Sequence, residues 1–183
     1  MARVKYLTKD DLAEADKPLL DRDINLFRAL AHNPKAARAF SNLGRHIRFG
    51  SDLDARLREL AILQVGYLAR SPYEFSHHIK IGGDFGVSDA DIAAMIAETS
   101  GEETALEPLA RLILRAAREM TLDGGASART FDDLKQHFAE DMIIELFLAI
   151  AFYNGVVRML ASLEIDVEPE YQQYLDRFPF PAD

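Results

Sequence analysis

The sequence predicts an all-α protein: one helical domain over residues 1–183, built round a buried helix hairpin and essentially without sheet. Three observations carry this expectation. Apolar residues recur at helical spacing, and no stretch alternates apolar with polar residues between turn signals as a strand does. Between Leu53 and Arg70 apolar side chains occupy nearly every face of a single helix, the pattern of a rod enclosed by others. Finally, 49% of the 183 residues are apolar, enough for one sizeable core, while glycine and proline fall mainly between the runs.

Taken in order, Pro34 opens a helix through Ala36, Ala37, Phe40, Leu43 and Ile47, with Gly50 as its stop. Ser51 and Asp54 stand in capping-box-like spacing before the run Leu53 to Arg70. In that run Leu53, Leu57, Leu60, Leu63 and Tyr67 form one stripe, and Ala61, Ile62, Val65 and Leu68 fill the remaining faces. Pro72 restarts the chain into Tyr73–Phe85, broken by Gly82, Gly83 and Gly86. Ser88 and Asp91 cap a short helix, Ala90 to Ala97, completing a core motif over residues 53–97. After a linker at Ser100-Gly101, the C-terminal helices occupy residues 107–177. Glu107 to Thr121 comes first, then the turn Asp123-Gly124-Gly125. A short helix opened by Thr130 and Asp133 follows, then a long one from Asp141 to Leu163. Pro169 and the tail Phe178-Pro179-Phe180-Pro181 read as extended or loosely helical. The segments Arg58–Leu63 and Ile144–Ala149 echo each other, each reaching a tyrosine (Tyr67, Tyr153) eight residues after its glutamate.

Composition narrows the function classes. A formal net charge of −9 and a pI near 5.0 disfavour nucleic acid and anionic membranes as partners. The locally basic stretch Arg38, Arg45, His46, Arg48, Arg56 and Arg58 reads first as a solvated face with ion pairs, and second as an anion-binding surface. The absence of cysteine removes disulfides, thiolate nucleophiles, redox dithiols and zinc–thiolate sites. No secretory leader is visible at Met1–Tyr6 and no apolar run approaches a membrane span, which makes the cytoplasm the default location. His32, His46 and His137 have no second ligand at metal spacing, and no cofactor motif is present, so neither a metal nor a cofactor is expected.

The chemistry-bearing segment runs from Arg56 to Gly86. A carboxylate at Glu59, inside an apolar helix, must be paired, hydrogen-bonded or protonated, and Arg56 is a ready partner. Glu74 and His78, four residues apart, share a helix face, with Ser71 just before it. If the two helices pack as a hairpin, Glu59, Ser71, Glu74 and His78 converge on one polar pocket, where a carboxylate and an imidazole can move protons at neutral pH. Each also has a purely structural reading: Ser71 as a helix cap, His78 as a core histidine satisfied by Glu74, and Glu59 as a paired helix-start acid. Tyr73 could place its hydroxyl in the pocket as a substrate-binding group. His77, about a hundred degrees round the helix from His78, is expected at a surface, touching substrate or another subunit. Three ligands, Glu59, Glu74 and His78, would be the only plausible metal set.

These residues resemble the carboxymuconolactone decarboxylase / alkyl hydroperoxidase D superfamily. In the hydroperoxidase branch a glutamate is followed, after eleven residues, by C-x-x-C-x-x-x-H. This chain keeps that frame with Glu59 and His78, but places Ser71 and Glu74 where the cysteines would stand. Arg58-Glu59-Leu60, Tyr73-Glu74-Phe75-Ser76-His77-His78 and Gly86-Val87-Ser88 are similar to the "R-E-L … Y-E-W-x-x-H … G-V-S" pattern of cysteine-less members. The similarity extends from Asn25-Leu26-Phe27 to Met159. The resemblance implies an alkyl hydroperoxidase D-like helical bundle that assembles as trimers or hexamers, with dimers an alternative. It also implies either lactone decarboxylase or peroxidase activity. Serine cannot be oxidised as a thiolate is, so the thiol-peroxidase mechanism is unavailable.

The functional expectation is therefore a cofactor-independent lyase, decarboxylase or isomerase on a small lactone or aromatic-derived molecule, with Glu59 and His78 as acid and base and Ser71 and Glu74 beside them. The alternatives are an antioxidant protein, as the resemblance implies, and a non-catalytic small-molecule-binding homo-oligomer.

Overall fold

The computed structural model describes residues 2–181. Nine α-helices and three short 3-10 turns make up the regular structure, and no strand occurs among the described residues. The helices are α1 (Asn25–Leu30), α2 (Pro34–Phe49), α3 (Ala55–Leu68), α4 (Pro72–Asp84), α5 (Asp89–Thr99), α6 (Pro108–Leu122), α7 (Ala128–Leu134), α8 (Glu140–Leu163) and α9 (Gln172–Arg177).

At the centre lies α3. Every residue from Leu57 to Tyr67 is buried, and α6, α4, α8 and α5 pack round it. This is the outcome expected of a helix apolar on all sides, for which no solvent-facing stripe exists. It meets α4 in a tight hairpin, where Arg70 turns the chain at φ 47° and the Ser71 amide donates to the Gly66 carbonyl at 3.0 Å. The two helices approach closely because residue 66 has no side chain. A Cβ there would lie 3.2 Å from the Phe75 amide nitrogen and 3.3 Å from its Cα.

Several boundaries differ from expectation for local reasons. Asp54, not a Ser51–Asp54 box, caps α3 through the Leu57 amide, and Ser51 accepts from Leu53 instead. Ser127, not Thr130, caps α7, leaving Thr130 buried and donating to Glu119 at 2.7 Å. The short α1, and 3-10 turns at Lys9–Asp11, Glu14–Leu20 and Pro169–Tyr171, form where the ends of the chain fold over the core. Contrary to the expectation that no run approaches a membrane span, α8 is long and apolar enough to cross one by length and composition. In this fold it lies across α3, α6 and α2, with Leu146, Ile150, Tyr153 and Val157 buried.

The two ends of the described chain meet. The Tyr6 hydroxyl donates to Asp166 at 3.0 Å, and the Arg3 amide donates to the Leu163 carbonyl at 2.8 Å. The tail then returns over the hairpin, stacking Phe180 on Tyr67 with centroids 5.7 Å apart and on Phe75 at 5.3 Å. Proline-rich though it is, this tail packs against the core, with Phe178 and Phe180 partly buried.

Candidate active site

The hairpin delivers the two expected partners to one point. His78, on the inner face of α4, lies between two carboxylates: Glu59 Oε2 is 2.7 Å from Nδ1, and Glu74 Oε1 is 2.9 Å from Nε2. Both ring nitrogens can donate at once only in the imidazolium. Burial alone would drive the His78 pKa down, but the charges of Glu59 and Glu74 outweigh it and hold the pKa above the ordinary histidine value. Glu59 is 1% exposed. Burial would raise its pKa, yet His78 and then Arg58 bring it below the usual carboxylate range.

Glu59 is paired not with Arg56 but with Arg58, at 3.2 Å, and Arg58 is itself 2% exposed with its guanidinium 4.8 Å over the Phe85 ring. Arg56 instead spans to Asp91 and Glu107, pinning α3 to the start of α5 and the start of α6. With His78 protonated, the two bases and two acids of the buried chain Arg58–Glu59–His78–Glu74 balance in formal charge, which is what makes its burial tolerable.

Beside this chain opens a cavity of about 560 Å³ between the segment 18–27, α2, α4 and α8. Its walls are largely apolar, with Ile24, Phe27, Phe40, Phe152 and Val156 among them. The polar groups facing it include Glu74, His77, His78, Tyr73, Tyr153 and Arg48. Tyr153 sets its ring edge against His78, with centroids 4.8 Å apart. Burial, and after it the charge of Glu74, raises its phenol pKa, while a hydrogen bond from Arg48 works the other way. The Arg48 Nε is buried and has no acceptor among the described residues.

The expected residues thus divide. Glu74 and His78 face the cavity, whereas Glu59 lies behind His78 and lines none of it. Ser71 also lies off the cavity. Its hydroxyl caps α4 by accepting from the Glu74 amide at 3.5 Å, and this is the role the structure gives it. Tyr73 reaches the cavity wall, but its hydroxyl is engaged with Glu168 at 3.1 Å and accepts from the Leu26 amide at 3.1 Å.

His77 needs correction. It is buried rather than superficial, sandwiched between Tyr73 at 4.2 Å and Tyr171 at 3.6 Å, with Nε2 2.8 Å from Glu168. Burial lowers its pKa, with Glu168 opposing. The residue that sequence reasoning missed is Glu168, whose carboxylate gathers His77, Tyr73 and the Asn25 amide at 2.7 Å into one cluster. No local motif announces it, because its partners lie 91 or more positions away.

The basic stretch also departs from a plain solvated face, since Arg38, Arg45 and Arg48 border the cavity and Arg58 is interior. The echo between Glu59 and Glu145 does not extend to the site. Glu145 is half-buried and bonded to His46 at 3.0 Å, and Tyr67 packs under the tail while Tyr153 faces the cavity. Among the described residues, no group of three or more histidine, aspartate or glutamate side chains is arranged to hold a metal.

Comparison with known proteins agrees with this architecture. Residues 34–119, from the start of α2 into α6, match the carboxymuconolactone decarboxylase family. No curated protein matches the chain in sequence. Among solved structures, an uncharacterized peroxidase-related protein from Ralstonia eutropha JMP134 with an alkylhydroperoxidase AhpD core superposes with a TM-score of 0.78 at 18% identity, covering 95% of each chain. The debrominase Bmp8 superposes with a TM-score of 0.80 at 21% identity, covering 96% of this chain and 97% of its own. A second structure of Bmp8, a cysteine-to-alanine variant holding 2,3,4-tribromopyrrole, gives 0.78 at 20% identity, covering 96% of this chain and 98% of its own. At these identities the structures show a shared fold. The chain therefore has the alkyl hydroperoxidase D-like fold, is similar over residues 34–119 to the carboxymuconolactone decarboxylase family, and contains no cysteine.

Proposed function

We propose that this chain is a cofactor-independent lyase or isomerase that moves protons on a small lactone or aromatic-derived molecule. One observation carries the reading: the Glu74 carboxylate stands at the wall of a largely apolar cavity, 2.9 Å from the His78 ring, which Glu59 holds from behind. Glu74 accepts a proton from a carbon next to a carbonyl, or supplies one obtained from His78 Nε2, so the pair works in either direction. In a decarboxylation the electron pair of the breaking C–C bond passes into the carbonyl as carbon dioxide leaves, and the proton then goes to carbon. In an isomerisation it returns at a different carbon. Arg48 and Tyr153, on the α2 and α8 walls, are placed to stabilise the oxygen on which charge develops. Glu59 and Arg58 act through His78, as positioning residues.

The absence of cysteine argues against the thiol-peroxidase reading, because neither Ser71 nor Glu74 can be oxidised by peroxide and resolved. A two-carboxylate grip on His78 is also what a non-catalytic binder that kept its scaffold would show, so that reading is retained as the alternative. A panel of carboxylated lactones, assayed for carbon dioxide release and for deuterium uptake from D2O, separates the two. Glu74→Gln is expected to lower turnover by about 10²- to 10⁴-fold when assayed below the variant's own melting temperature, which falls because a buried partner of His78 is lost. Binding without turnover across the panel would leave only the binder. Self-association follows from the family resemblance, and light scattering measures it directly.

A further inference from the structure

A second cavity, of about 410 Å³, lies on another part of the molecule, where α6 faces the end of α5 and the residues around α7. Arg111, Arg115 and Arg118 recur along one side of α6 and line it, and His137 lines it from beyond α7. Like charges so placed repel unless something sits among them, and the carboxylates present cover them incompletely. Asp133 takes Arg115. Glu98 is left to serve two guanidiniums, standing 3.9 Å from Arg118 and 4.0 Å from Arg111, beyond hydrogen-bond length in both cases. It also accepts from the Thr104 hydroxyl.

Other arginines of this chain find carboxylates much nearer: Arg3 at 2.8 Å, Arg28 at 2.6 Å and Arg38 at 2.5 Å. Among the described residues, the hydrogen bond of Arg118 goes to a neutral amide, Gln64, at 3.3 Å. The Arg115 Nε is buried with no acceptor among the described residues, a donor directed at nothing the protein supplies. Burial depresses the Arg118 pKa and Arg115 adds to it, with Glu98 and then Glu119 opposing.

We propose that this cavity is a binding site for a compact doubly charged oxyanion, a phosphate group either free or carried on a small molecule. Three guanidiniums offer planar pairs of donors that match phosphate oxygens, and the two flanking carboxylates compete with the ligand and set its affinity. The site is independent of the Glu74–His78 cavity and of the reaction proposed there.

Inorganic phosphate titrated into the full chain at low ionic strength, followed by calorimetry, tests this directly. Saturable binding is expected, with competition by sulfate and none by chloride at matched ionic strength. Arg115→Met and Arg118→Met should each weaken it at least tenfold, and Arg111→Met, on the exposed side, provides a variant with little risk to folding. Asp133→Asn should tighten binding by removing the competitor. Glycerol 3-phosphate distinguishes the two sources: tighter binding than inorganic phosphate identifies a carried group, and equal or weaker binding the free ion. The proposal is overturned if no saturable heat is seen. It is equally overturned if binding survives Arg115→Met and Arg118→Met but is lost on Arg48→Met in the other cavity. Dissociation of an oligomer by Arg118→Met, without any phosphate binding, would assign the arginines to a subunit contact instead.

Discussion

At the scale of single residues, the decisive fact is that Glu59 answers to two cations. His78 and Arg58 both lean on it in a region closed to water, so its removal leaves Arg58 charged and buried without compensation. Glu59→Gln is therefore expected to cost about 3–5 kcal/mol of stability, read from urea melts, and to lower the His78 pKa, read from its ring proton shifts. The pH dependence of the intact pair follows from the two directions. His78 is raised above 6.5, so its contribution is complete below that pH and fades as pH climbs through the folded-state value. Glu59 is lowered below 4.5, so its contribution is present above that pH and fades as pH falls through the folded-state value. Between about 4.5 and 6.5 the pair is at full strength. His77, depressed below 6.5, has the opposite sign and favours the folded state at higher pH, so the two imidazoles should titrate on opposite sides of the free histidine value. The Glu74–His78 spacing and the hairpin made Glu59–His78 legible beforehand. Arg58 was not, because an arginine in sequence looks like surface until the helix carrying it is known to be enclosed. Glu168 was not, because contacts across ninety residues leave no periodic trace.

At the scale of elements, long helices were readable and short ones were not. A helix such as α3 or α8 declares itself by many apolar positions, whereas the six residues of α1 are helical because they pack beside α2 and the 3-10 turn before it. Caps were misplaced by three residues at both α3 and α7, where several Ser, Thr and Asp side chains compete for the same amides. The α3–α4 contact gives a paired expectation. Gly66→Ala pushes a methyl against the backbone of Phe75 and should destabilise by about 1–3 kcal/mol. Gly83→Ala, on the exposed side of α4 with nothing within 4 Å of the added carbon, should stabilise by about 0.5–1 kcal/mol. Urea melts of the two variants should move in opposite directions. A loss at both would mean α4 depends on glycine for its own geometry.

At the scale of the whole molecule, the site is a joint product of segments far apart in the chain. α3 and α4 supply the charged relay, α2 and α8 the cavity walls, and the tail the clamp on His77. Removing residues 164–183 strips Glu168 from His77 and Tyr73, and Phe180 from Tyr67 and Phe75. The truncated chain is expected to bind a hydrophobic dye such as ANS and to lose part of its unfolding cooperativity. Unchanged melting and no dye binding would show that the tail is ornamental.

That tail carries a consequence for biosynthesis. A polypeptide leaves the ribosome from its amino end, so everything Phe180 and Glu168 cover is made before they are. Until they arrive, the hairpin presents an unsealed aromatic surface and an untethered histidine, and anything that delays residues 168–180 prolongs that exposure. The nascent chain should be most vulnerable to proteases and most attractive to chaperones in the interval before residues 168–180 emerge, with the centre of the molecule already wound but not yet closed.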